Sequence, residues 1–61
     1  MTVQDLDMKL DDAAFDGDIA ACCAILAQIR EIEGPAFNAG AHLNAVSAKT
    51  EFAVKVIQAF R

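Results

Sequence analysis

Ala39, Leu43, Val46, Thr50, Ala53, Ile57 and Phe60 recur at alternating steps of four and three residues through the last third of the chain. That spacing lays side chains along one seam of an α-helix. Ala45, Phe52, Val56 and Ala59 run beside the seam and widen it, while Glu51, Lys55 and Gln58 mark the wet side. The pattern predicts one long helix over about 36–60. It starts between Pro35, which suits a first turn, and Asn38, which suits an N-cap. Thr50 sits mid-seam, where its hydroxyl can bond back to a carbonyl one turn earlier or help set register.

Two shorter helices precede it. Thr2-Val3-Gln4-Asp5 is a capping-box pattern that opens a helix over about 2–15. Val3, Leu6, Leu10, Ala13 and Ala14 then share an arc of about 100°, a core-facing stripe. Met8 and Phe15 fall on the opposite side, flanked by aspartates. Asp16-Gly17-Asp18 breaks the helix, with Gly17 free to take positive φ and Asp18 placed to cap the next one. A second helix follows over about 18–33. Its apolar face is Cys22, Ile25, Leu26, Ile29 and Ile32, and its back carries the small residues Ala20, Ala24 and Ala27. Gly34-Pro35 ends it, since proline cannot continue the hydrogen-bond ladder.

The fold class is therefore all-α: one domain, a helical hairpin plus a long C-terminal helix. Size adds a constraint. A chain of 61 residues buries only about 60% of its unfolded surface and is marginal as a lone monomer. The hydrophobic fraction is 56% with no Trp or Tyr, and much of that fraction is alanine, which adds little core volume. Self-association supplies the missing burial, so the expectation is a dimeric helical bundle. Leu43, Val46, Thr50, Ala53, Ile57 and Phe60 are its candidate seam, with helix 1 the other place where a second copy can pack.

Charge is unevenly spread. Residues 1–18 hold six aspartates against Lys9, and residues 19–61 hold three glutamates against four basic side chains, so −5 and +1 compose the overall −4. Such a balance repels a phosphate backbone and argues against direct nucleic-acid binding. A DNA-reading helix-turn-helix lacks the basic and amide residues it needs on its second helix. No apolar run approaches the ~20 residues of a membrane span. The N-terminus has no basic and apolar leader, which points to the cytoplasm.

Catalytic and ligand chemistry finds little support. His42 is the one histidine, and Cys22 or Cys23 are its candidate partners, but no orienting third group or oxyanion site is visible. Its expected place is an exposed or rim position. Adjacent cysteines on a helix point about 100° apart and do not make a zinc pair or a disulfide framework. They read as small apolar residues, with a redox role left open. Asp16-Gly17-Asp18 lacks the further ligands of a calcium loop. No enzyme activity, cofactor or metal is expected.

Leu10-Asp11-Asp12-Ala13-Ala14-Phe15-Asp16-Gly17-Asp18, followed by Cys22, Ile25 and Leu26, resembles the helix–turn–helix portion of an ankyrin repeat. The repeat's Thr-Pro-Leu-His opening is absent and stacking needs at least three units, so the likeness reflects the shared physics of a tight helical hairpin. The functional expectation is a small protein-interaction module of the kind found among bacterial or phage accessory proteins. It would be a regulator, adaptor or inhibitor, meeting another protein through Met8, Phe15, Asp5, Asp11 and Asp12 or through Phe52 and Val56. Two alternatives are an acidic nucleic-acid mimic that blocks a basic groove and a structural subunit of a larger assembly.

Overall fold

The computed structural model describes residues 2–46 and 49–61. Four α-helices compose it: α1 (Val3–Asp16), α2 (Ile19–Glu33), α3 (Ala39–Ala45) and α4 (Thr50–Phe60), with a 3-10 turn at Gly34–Ala36 between α2 and α3. No strand occurs among the described residues.

Local chemistry accounts for the first three boundaries. Thr2 Oγ1 accepts from the Asp5 backbone N–H at 3.2 Å, and the Asp5 carboxylate accepts from the Thr2 N–H, a complete capping box. Gly17 closes α1 with φ 72°. Its N–H donates to Ala14 O and that of Asp18 to Ala13 O, the paired bonds of a Schellman motif. Asp18 then turns its carboxylate onto the Ala21 N–H at 3.0 Å and starts α2. One glycine and one aspartate thus reverse the chain. Gly34, φ 60°, ends α2, Pro35 joins the 3-10 turn, and Asn38 Oδ1 accepts from the Ala41 N–H to cap α3.

The expected long third helix is divided. Val46 is extended at φ −97°, ψ 166°, and Lys49, also extended, precedes α4. Two physical causes converge. Asn44, Val46, Ser47 and Thr50 are poor helix formers set close together. A straight helix over residues 36–60 would also reach about 37 Å, whereas the longest extent of the molecule is 26 Å. The break lets α4 fold back on α2 instead of projecting into water.

α2 is the central element, packed by α1 and by α4. The core is Leu6, Leu10 and Ala13 of α1, Cys22, Ile25, Leu26 and Ile29 of α2, Leu43 of α3 and Val56 of α4. Of the stripes expected for the first two helices, Leu6, Leu10 and Ala13 and Cys22, Ile25, Leu26 and Ile29 are buried, Val3 and Ala14 are half-buried against them, and Ile32 at the end of α2 stays half in water at 53% exposure. The heptad seam does not form a continuous line. Leu43 is buried, Val46, Ala53, Ile57 and Phe60 are half-buried against the same core, and Thr50 is exposed at the start of α4. Thr50 apart, these side chains face their own chain, because the break re-aims α4 at α2.

Candidate functional site on the outer face of α1

Burying Leu6, Leu10 and Ala13 leaves the other side of α1 to solvent. Met8 and Phe15 stand there at 66% and 91% exposure. Seven residues apart, they lie within about 20° of one azimuth and about 10 Å apart along the axis. Full exposure of a phenylalanine forgoes roughly 1.5–3 kcal/mol of burial. Asp5, Asp11, Asp12 and Asp16 are exposed on the same helix, so the two apolar side chains sit in an acidic frame.

Asp12 and Asp16 do not favour the helix that carries them. Only Asp5 lies in the first turn, where it completes the cap. Asp12 and Asp16 are one turn apart towards the C-terminal end, and the last turn holds no basic residue. Like charges at that spacing, near the negative end of the helix dipole, are each unfavourable by a few tenths of a kcal/mol. The arrangement is an apolar pair with a local field that favours cations.

The second expected contact line is not available in this fold. Val56 is fully buried and Phe52 half-buried, both packed into the core. The re-aimed α4 turns them inward, and Val54, at 47% exposure, takes the outer position.

A polar cluster that linear reasoning missed ties the other side of α1 to the rest of the chain. His42 Nδ1 is 2.8 Å from Asp7 Oδ1 and Nε2 is 2.6 Å from Glu33 Oε1. Its side chain is 13% exposed and its partners Asp7 and Glu33 are about a third exposed, so it sits just inside the rim, with its ring nitrogens on two carboxylates and not on a cysteine. Asp7 lies on α1 and Glu33 ends α2, well away from His42 in sequence, and the packing of α3 brings all three together. The Phe37 ring stacks on the imidazole at 6.0 Å and meets Phe60 at 5.9 Å, while the Arg30 guanidinium lies 5.2 Å over the Phe60 ring. Burial is the largest single influence on the imidazole and lowers its pKa. The hydrogen bonds and charges of Glu33 and Asp7 together outweigh it and hold the group above 6.5. Both ring nitrogens are engaged, which makes the cluster a clamp between three helices.

The cysteines behave as packing residues. Burial, then Cys23, then Asp18 push the Cys22 thiol above 9.0, which keeps it protonated and poorly nucleophilic. Cys23 donates its S–H to the Val56 carbonyl at 3.8 Å and links α2 to α4. No helix among the described residues is long and apolar enough to cross a membrane. Compared with protein-family models, with curated proteins and with solved structures, the chain matches none of them.

Proposed function

We propose that this chain is a small cytoplasmic protein-interaction module, a regulator, adaptor or inhibitor that acts by laying the outer face of α1 on another protein. One observation carries the reading. Phe15 is 91% exposed on a helix whose other large apolar residues, Met8 apart, are turned into the core. Aromatic and methionine side chains are enriched where proteins meet, and they dominate the energy there when buried. The face requires no cofactor and no chemistry.

A nucleic-acid mimic would need the carboxylates alone and gives Met8 and Phe15 no role. A homodimer through the α3–α4 seam is the weaker reading, because Leu43 is enclosed within one chain and Val46, Ala53, Ile57 and Phe60 are half-buried against its own core.

A photo-crosslinking residue placed at Phe15 tests the proposal, with the same residue at Gln28 on the exposed back of α2 as the control. In cells of the native host, the first should yield a discrete adduct with another protein and the second should not. Equal labelling from both positions, or none from position 15, would sink it.

A further inference from the structure

We infer that the occupant of the α1 face is a cationic amphipathic α-helix of a second protein. The inference rests on the interaction-module reading above and adds the chemistry of the partner. Met8 and Phe15 stand about two helical turns apart in line. A partner helix laid along α1 meets both with apolar residues at i and i+7, and fills between them at i+3 or i+4. Asp11 and Asp12 flank that line on either side between the two apolar residues, with Asp5 and Asp16 beyond them. Lysines or arginines bordering the partner's apolar stripe therefore find a row of carboxylates, Asp5, Asp12 and Asp16, along one side of the line. The frame of Asp12 and Asp16, unfavourable for α1 itself, becomes favourable once such a helix is bound.

Other occupants fit less well. A phosphate-bearing surface is repelled by the same aspartates. In a second copy, α1 against α1 brings carboxylates face to face. The basic side of α4, with Lys55 and Arg61, offers Val54 as its exposed large apolar residue, and its neighbours on that side are Thr50, Glu51 and Gln58. It has no apolar pair to match Met8 and Phe15.

The test uses the isotope-labelled full chain and two synthetic helical peptides with the same leucine stripe, one flanked by lysines and one by glutamates. The lysine peptide should shift amides of α1 selectively, and its affinity should fall roughly tenfold or more from low to high salt. Phe15→Ser, at a site so exposed that the fold is unaffected, should abolish the shifts, and the double variant D12N/D16N should weaken them. The glutamate peptide should leave the spectrum unchanged. Equal binding of both peptides on α1 overturns the cationic partner while leaving the interaction face standing. Shifts confined to α4, or concentration-dependent α1 shifts without peptide, overturn it in favour of another surface or a second copy. No α1 response to either peptide overturns it as well, and the crosslink from position 15 then decides separately whether α1 is an interaction face.

Discussion

Nε2 of His42 stands 2.6 Å from Oε1 of Glu33, across the turn that separates α2 from α3. With Nδ1 engaged by Asp7 of α1, one ring joins three helices. A neutral imidazole has a single N–H and can donate to only one of two carboxylates, whereas the imidazolium serves both. The protonated ring is thus the state the fold prefers, which agrees with its raised pKa.

A pH dependence follows with a definite sign. A group whose pKa is higher folded than unfolded contributes stability that is fully present below the unfolded value and is lost as pH rises through the folded one. The thermal midpoint should therefore fall as pH rises from about 6 to about 8, a window that ends before the raised Cys22 thiol begins to contribute. Circular-dichroism melts should show this slope in the natural chain and a much flatter one in His42→Gln. An equal slope in both would remove the clamp as its source.

Gly17 offers a cleaner backbone test. Its φ of 72° is left-handed, and an added Cβ would meet no neighbouring atom within 4 Å, so Gly17→Ala measures conformational strain alone. The expected loss is about 1 kcal/mol, with Gly17→Asn less harmful. Urea unfolding should show a lower midpoint and an unchanged slope.

Core and surface should separate sharply. Leu26 is fully buried on the central helix, and Leu26→Ala should cost about 2–5 kcal/mol. In so small a domain that is enough to populate the unfolded state at room temperature. Phe15→Ser removes more apolar area from a position 91% exposed and should move the midpoint by less than about 0.5 kcal/mol equivalent. If Phe15→Ser unfolded the chain, α1 would have no free outer face.

Which features could be read from the sequence depended on how local their cause is. Thr2, Gly17, Asp18 and Gly34 act on backbone groups within a few residues, and the boundaries they set are readable, whereas the start of α3 stays open between Pro35 and Asn38 until the structure places the cap on Asn38. The opposition of Met8 and Phe15 to Leu6 and Leu10 is a property of one helix, so the exposed face was readable too. The break after Ala45 was not. Hydrophobic periodicity records which way side chains face, and α3 and α4 both face the same core, so the stripe runs on across two separate helices. The His42 clamp was equally hidden, since its partners at Asp7 and Glu33 carry no spacing signal relative to it.

The side chains that heptad spacing assigned to a second copy give the last prediction. Ile57 is half-buried against the core, and Phe60 contacts the Phe37 ring and the Arg30 guanidinium of its own chain. If these contacts are what holds α4 down, Ile57→Asp should lower the thermal midpoint by placing a charge against α2. The midpoint of the unsubstituted chain should also stay constant over about a hundredfold dilution, because unfolding linked to dissociation shifts with concentration and unfolding of one chain does not. A midpoint that climbs with concentration, and loses that climb in Ile57→Asp, would return the seam to an interface between copies.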